Sequence, residues 1–109
     1  SAVAMLTRLG YRAEAAASGE EAVEQVKRQA PDLLVLDMIM KPGIDGLETY
    51  RRILEIVPKQ KAIIVSGYAE TARVKKAMAL GTCTYVKKPY RMEKIGVAIR
   101  QVLSKESPA

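Results

Sequence analysis

Short apolar runs of strand length alternate with amphipathic helical segments along this sequence, and that alternation limits the fold more than any other feature. The runs lie at residues 31–37 (P-D-L-L-V-L-D), 62–65 (A-I-I-V) and 82–86 (T-C-T-Y-V), with a weaker, alanine-rich candidate at 12–17. Strands that are apolar throughout favour a parallel sheet covered on both faces. Strands that alternate with helices of this length predict right-handed crossovers and an open α/β sheet.

The predicted helices begin and end at residues that suit those positions. Ser18 and Glu21 form the pattern of a capping box before the helix that follows the first candidate strand. Pro58 ends the next helix, and Gly81 follows the third as a predicted C-terminal cap. An apolar pattern over residues 3–9 indicates the last part of an earlier helix. The expected order is therefore the end of a helix, followed by strand and helix four times over.

The composition argues against several classes of function. With no histidine and a single cysteine, Cys83, the chain is poorly suited to a zinc site or to histidine-based catalysis. A lone cysteine cannot form an internal disulfide, which fits a reducing compartment. No apolar run approaches the roughly 20 residues of a membrane helix, and the start of the sequence lacks the pattern of a signal peptide. We therefore expect a single cytoplasmic domain with no membrane segment.

The net charge of +6 permits several kinds of partner. An excess of basic residues suits nucleic acid, a membrane surface or an acidic protein, whereas solvated surface lysines need no partner at all. The chain has no Phe or Trp, and its tyrosines do not follow an RNA-binding pattern. A basic cluster occupies the later part of the sequence, and its members are Arg73, Lys75, Lys76, Lys87, Arg91 and Lys94. Charge alone does not identify the partner.

Three polar residues stand at or just beyond the ends of the predicted strands. They are Asp37, Ser66 and Lys88. In open α/β sheets, ligands bind outside the carboxyl ends of the strands, so the fold would bring these side chains to one edge. A carboxylate nucleophile with a hydroxyl and an ammonium group is a suitable set for handling phosphate. Each residue alone has a structural explanation, as a loop cap, a turn or a solvated lysine, but all three at matching strand ends favour a functional site.

These motifs resemble the CheY-like receiver domain of bacterial response regulators. The resemblance rests on the order of the elements and on L-V-L-D-M-I-M-K-P-G-I-D-G at 34–46, I-I-V-S-G at 63–67 and G-T-C-T-Y-V-K-K-P at 81–89. It implies that a histidine kinase or phosphotransfer protein phosphorylates Asp37, that Ser66 contacts the phosphoryl group, and that Lys88 pairs with it. It also implies a cis bond between Lys88 and Pro89. Tyr85 matches the aromatic switch of the family, although simple packing at the sheet edge explains it equally well.

The resemblance also implies a Mg²⁺ site that this sequence does not complete. Receiver domains begin with an apolar strand that ends in two adjacent acidic residues, and these bind Mg²⁺ together with the phosphorylated aspartate. Asp37 matches that aspartate and Ile39 would offer its backbone carbonyl, but the acidic pair and its strand are absent from the sequence. Because a divalent ion neutralises charge between the carboxylate and the incoming phosphate, we expect weak or absent Mg²⁺ binding and poor phosphorylation for this chain.

The implied fold is an open parallel sheet of the flavodoxin/CheY-like type, with strand order 2-1-3-4-5 and the first strand missing. We expect residues 1–109 to form one receiver domain that begins within its first helix. Loss of a strand from the middle of the sheet would leave edges that invite pairing with another chain. Truncation is the favoured explanation of the missing strand. The alternative is that a second copy of the chain fills the gap, as in a swapped dimer.

The place of the domain in a larger protein and its function leave alternatives. Lys41 lengthens the loop before Pro42 by one residue relative to the commonest loop of the family. A similar lengthened loop occurs in receivers attached to hybrid sensor kinases. This suggests the C-terminal receiver of a hybrid sensor histidine kinase or a stand-alone receiver. The leading function is phosphoryl acceptance, which does not make the domain a turnover enzyme by itself. The alternatives are a phosphorylation-independent interaction module (a pseudo-receiver) and, less favoured, a nucleic-acid-binding domain. Besides the kinase, a second copy could pair through exposed sheet edges or the last two helices.

Overall fold

The computed structural model describes residues 2–39, 43–67, 71–81 and 83–105, and in this part of the chain three strands form one parallel sheet. The strands are β1 (Leu34–Asp37), β2 (Ala62–Ser66) and β3 (Cys83–Lys87), and they lie in that order. The helices are α1 (Ala2–Arg8), α2 (Gly19–Arg28), α3 (Gly46–Ile56), α4 (Ala72–Leu80) and α5 (Met92–Ser104). The predicted α/β class with an open parallel sheet is confirmed. Four residues of the motifs used in the predictions lie outside the described residues, namely Met40, Lys41, Pro42 and Thr82.

Helices cover both faces of the sheet. β2 is buried throughout, with Ala62 and Ile64 in one core and Ile63 and Val65 in the other. Successive side chains of a strand point to opposite faces, so a strand covered on both sides must be apolar along its whole length. The first core receives Val23, Val26, Leu47, Tyr50, Ile53, Val74 and Ala77 from α2, α3 and α4. The second receives Ile95, Ala98, Ile99 and Val102 from α5, with Met5 and Leu6 of α1 packed against it.

The strand predicted at residues 12–17 does not form, and this prediction was wrong. Residues 11–16 have no regular secondary structure, although Gln25 Nε2 donates to the Ala15 carbonyl at 3.2 Å and so ties the segment to α2. A strand requires a neighbour with which to exchange backbone hydrogen bonds. In the predicted order that neighbour is the first strand, which this sequence lacks, and an alanine-rich segment has little strand preference of its own.

Three helices begin at residues whose side chains accept a backbone hydrogen bond. Ser18 caps α2, Asp45 caps α3 and Thr71 caps α4, each accepting from the N–H three residues later. Gly81 is the C-terminal cap of α4, and Pro58 follows the end of α3. The sequence predictions for the start of α2 and the end of α4 are therefore confirmed. Within the described ranges, no helix has both the length and the apolar character needed to cross a membrane.

Gly46, the first residue of α3, lies against the backbone at the end of β1. A Cβ atom there would be 2.6 Å from the Asp37 carbonyl oxygen and 3.0 Å from Met38 Cα. Since backbone atoms cannot easily move aside, we expect Gly46→Ala to lower the free energy of unfolding by about 1–3 kcal/mol.

Gly96 within α5 is the matched control for this prediction. Its Cβ would lie 3.7 Å from the two Leu9 methyl carbons, which is an ordinary contact. Gly96→Ala should therefore raise the free energy of unfolding by about 0.5–1 kcal/mol through helix propensity alone. Urea unfolding followed by circular dichroism measures both variants, and equal changes in the two would contradict the packing explanation.

Candidate functional site

The carboxyl ends of the three strands bring Asp37, Ser66 and Lys88 to one edge of the sheet. Asp37 is the last residue of β1, Ser66 is the last residue of β2, and Lys88 directly follows β3. The register aligns these ends, because Asp37 pairs with Val65 and Ser66 pairs with Lys87. The convergence expected from the sequence is present in the structure, and the chemical roles of the three residues stay predictions.

The carboxylate of Asp37 lies between two hydrogen-bond donors. Its Oδ2 forms an ion pair with Lys88 Nζ, and its Oδ1 accepts from the Ile39 N–H at 3.0 Å. The side chains of Asp37 and Lys88 are 37% and 41% exposed. The pair is therefore accessible from solvent, and the ammonium group stands where it can offset negative charge on a group attached to the carboxylate.

Ser66 is held in place by its surroundings on the sheet. The residue is 3% exposed, at the end of a strand that is buried on both faces. Its carbonyl accepts from the Lys88 N–H at 2.7 Å, so the backbone of the lysine is tied directly to the backbone of the serine. Gly67 follows as an exposed residue at the start of the connection to α4. The relative positions of Ser66 and Lys88 are thus fixed by the main chain.

β3 and the residues after it carry the other features that the resemblance singled out. The peptide bond between Lys88 and Pro89 is cis, as predicted. Tyr85 is partly buried and packs against the first core. It also borders a groove of about 320 Å³ between β3 and α5, with Lys94 and Val97 among the other lining residues. Packing at the sheet edge is observed for Tyr85, and its switch role stays a prediction.

Cys83 and Tyr50 are poorly suited to act as nucleophiles. Burial raises the pKa of the Cys83 thiol to about 11, against a smaller opposing effect of Lys105, and burial also raises the pKa of the Tyr50 hydroxyl. The Cys83 Sγ lies 3.6 Å from the Ala77 carbonyl oxygen, and the Tyr50 hydroxyl donates to the Gln60 carbonyl at 2.7 Å. Both groups stay protonated near neutral pH and contribute to the core.

The Mg²⁺ site implied by the resemblance lacks most of its ligands in the part of the chain that the structure describes. Within those residues, no three or more His, Cys, Asp and Glu side chains are grouped so that they could hold a metal ion. Asp37 supplies one carboxylate, already paired with Lys88, and Ile39 would supply a carbonyl. Mg²⁺ demands a nearly octahedral set of oxygen ligands, commonly with one or two carboxylates. The described residues do not fit a Mg²⁺ ion by themselves.

Two long-range contacts near the site were missed by sequence reasoning. The carboxylate of Glu20, in the first turn of α2, accepts from the Ile44 N–H in the segment that follows Asp37. Arg73 Nη2, in the first turn of α4, pairs with Asp45 Oδ2 at 2.5 Å. Neither contact has a signal in the sequence, because each joins segments that are distant along the chain.

Comparison with protein families gives a single assignment for nearly the whole chain. The model of the response regulator receiver domain family matches residues 1–100. Sporulation initiation phosphotransferase F of Bacillus subtilis is 34% identical over 98 residues, which are 90% of this chain and 78% of that protein.

Other similar proteins are longer than this chain or are known as structures. The transcriptional activator protein ExaE of Pseudomonas putida is 35% identical over 95 residues, which are 87% of this chain and only 44% of that protein. The chain therefore spans less than half of this relative. A crystal structure of a CheY-like response regulator receiver domain protein from Methanospirillum hungatei superimposes with a TM-score of 0.84 at 25% identity, covering 92% of this chain and 79% of that one.

The exposure of the Asp37–Lys88 pair predicts that its loss has little effect on stability. Exposed ion pairs contribute about 0–1 kcal/mol, so Asp37→Asn and Lys88→Met should each change the free energy of unfolding by less than about 1 kcal/mol. Urea unfolding measures this directly. A loss several times larger in either variant would mean that the pair supports the fold and would remove its use as a probe of chemistry.

Proposed function

This chain belongs to the response regulator receiver domain family, and from that premise we propose that Asp37 is the residue that accepts the phosphoryl group. The chain functions as a phosphoryl-accepting receiver domain in two-component signalling. The observation that supports the assignment to Asp37 is its ion pair with Lys88 at the carboxyl edge of the sheet. The arrangement combines a solvent-accessible oxygen nucleophile with a fixed positive charge beside it.

The proposed transfer uses the three residues in distinct roles. An oxygen of the Asp37 carboxylate attacks the phosphorus of a phosphohistidine on the partner protein, an O–P bond forms, and the P–N bond breaks so that the histidine imidazole leaves. With acetyl phosphate as the donor, the P–O bond to the acetyl group breaks and acetate leaves. The ammonium group of Lys88, which pairs with the carboxylate before transfer, would then contact the phosphoryl oxygens. The hydroxyl of Ser66 would contact the same group from the neighbouring strand.

Receiver domains bind Mg²⁺ for phosphorylation, and we propose that this chain binds it weakly. In a receiver domain that carries the acidic pair, that pair would bind the ion together with residues in the positions of Asp37 and the Ile39 carbonyl, and the present sequence does not contain the pair. The ion supplies charge neutralisation between the carboxylate and the phosphoryl group. The 109 residues alone should therefore accept phosphate slowly.

Receiver domains interact with histidine kinases or phosphotransfer proteins, and the charge of this chain indicates how a partner would be recognised. Six basic residues on or beside α4, β3 and α5 are all exposed: Arg73, Lys75, Lys76, Lys87, Arg91 and Lys94. We propose a cytoplasmic phosphorelay in which an acidic protein surface docks there. The alternatives are a pseudo-receiver role and pairing with a second copy through the last two helices or a sheet edge. The domain could also stand at the end of a hybrid sensor kinase.

The same basic surface supports nucleic-acid binding as a second candidate function. Contacts between basic side chains and phosphates release counterions, so such binding would weaken steeply as salt rises. Titration of labelled duplex DNA at two salt concentrations separates the candidates: a steep loss of binding favours nucleic acid, whereas no binding at the lower salt concentration leaves a protein partner.

The proposed function predicts a specific change in mass. The test uses the full-length protein, by which we mean this sequence preceded by a first strand with the acidic pair of the family. On incubation with Mg²⁺ and acetyl phosphate, it should gain one phosphoryl group, and its folded Asp37→Asn variant should gain none. Lys88→Met should react more slowly because the charge beside the carboxylate is lost. Intact-mass spectrometry over time measures all three, beside the 109-residue chain, which should react least among the forms that retain both Asp37 and Lys88.

A negative result has a clear meaning in this experiment. If the folded full-length protein stays unmodified, Asp37 is not a phosphoacceptor and the pseudo-receiver alternative replaces the proposed function. If the Asp37→Asn variant gains as much phosphate as the protein that retains Asp37, another residue is the acceptor.

A further inference from the structure

The segment that follows Asp37 is closed by two local hydrogen bonds. At its beginning the Ile39 N–H donates to Asp37 Oδ1 at 3.0 Å. At its end the Gly46 N–H donates to the Met38 carbonyl at 3.2 Å, so the chain returns to its starting point before α3 begins. These bonds fix where the segment leaves β1 and where it enters α3.

A third hydrogen bond reaches the segment from a different helix. The Ile44 N–H donates to the carboxylate of Glu20, with both oxygens at 3.3 Å. Gly43, just before it, has a φ of +103°, and a Cβ at that position would lie 2.4 and 2.8 Å from the same two oxygens. Glycine therefore permits both the backbone conformation and the close approach of the glutamate.

The position of Glu20 is itself fixed by packing at the start of α2. Gly19 is buried, and a Cβ there would be 2.1 Å from Thr49 Oγ1 and 2.7 Å from Ile44 Cγ1. Thr49 Oγ1 in turn donates to the Asp45 carbonyl at 2.7 Å. The first turn of α2 thus rests directly on the first turn of α3 and on Ile44, and Glu20 extends from this base to the backbone of the segment.

We propose that Glu20 is a positioning residue for phosphoryl transfer, acting through the Ile44 N–H on the segment that carries Ile39. The inference rests on the proposed role of Asp37 as the acceptor. Ile44 lies two residues before Gly46, so holding Ile44 helps to keep the Gly46 N–H against the Met38 carbonyl. That carbonyl and the Ile39 N–H belong to the same peptide group, and the Ile39 N–H holds the Asp37 carboxylate.

The contact predicts a role for the acceptor oxygen of Glu20 rather than for its charge. Gln in its place keeps one oxygen that can accept from the Ile44 N–H, whereas Ala keeps none. Glu21, the next residue in the same turn, is the matched control, because its carboxylate accepts from Gln25 Nε2 and not from the segment after Asp37. Both glutamates carry the same charge near the start of α2, so Glu21→Ala reproduces the effect of Glu20→Ala on the helix dipole.

The test compares Glu20→Ala, Glu20→Gln and Glu21→Ala in the full-length protein. The phosphorylation rate is measured by intact mass with acetyl phosphate over a range of Mg²⁺ concentrations, and the exchange of the Ile44 amide is measured by NMR. We expect Glu20→Ala to react roughly threefold to tenfold more slowly, as loss of one such hydrogen bond implies, and to exchange the Ile44 amide faster. The phosphorylation rate of Glu20→Gln should stay within about twofold of the rate of the protein without substitutions, and the rate of Glu21→Ala should equal that rate.

Several results would overturn the positioning role. They are an unchanged rate in Glu20→Ala, a rate in Glu20→Gln as low as in Glu20→Ala, and an equal loss in Glu21→Ala. The second would assign the effect to charge and the third to helix stability. If the unmodified full-length protein itself gains no phosphate, the proposed function fails and the positioning role fails with it, whereas a normal rate in Glu20→Ala removes the positioning role alone.

Discussion

The burial of β2 on both faces is the constraint on which the rest of this structure depends. Because Ala62–Ser66 must be covered on each side, helices pack on both faces of the sheet, and each connection has to return the chain to the same end of it. The resulting parallel pairing aligns the carboxyl ends of β1, β2 and β3. The edge that carries Asp37, Ser66 and Lys88 is therefore produced by the same packing that stabilises the domain.

The buried cores and the proposed site lie in different parts of this arrangement. The apolar side chains of the two cores are buried, whereas Asp37 and Lys88 meet at the surface, more than a third exposed. The position of Lys88 relative to Ser66 is set by a backbone hydrogen bond and does not depend on the charged side chains. We therefore expect that substitution of a charged group at this edge changes reactivity much more than it changes the stability of the fold.

The sequence was informative where the cause of a structure is local. Asp37, Ser66 and Lys88 were located because each follows an apolar run of strand length. The strand at residues 12–17 was predicted wrongly from its local pattern, because a strand also needs a paired neighbour and the one expected beside it is absent from the sequence. The bond from Glu20 to the segment after Asp37 was missed for a related reason. A glutamate in the first turn of a helix already has a sufficient local explanation, and only the packing of α2 on α3 reveals its second contact.

The two ends of α4 are held by interactions of different strength. At its start Arg73 pairs with Asp45, but the two side chains are 56% and 32% exposed, and such pairs contribute only about 0–1 kcal/mol. At its end Gly81 packs so closely that a Cβ would lie 2.5 Å from the hydroxyl of the buried Tyr50. The exposed pair therefore adds little at the start of α4, where Thr71 caps the helix and Val74, which is 1% exposed, anchors the first turn in the first core. Both ends of α4 thus depend on backbone capping and on packing, and the charged contact with Asp45 can change without releasing the helix from the sheet.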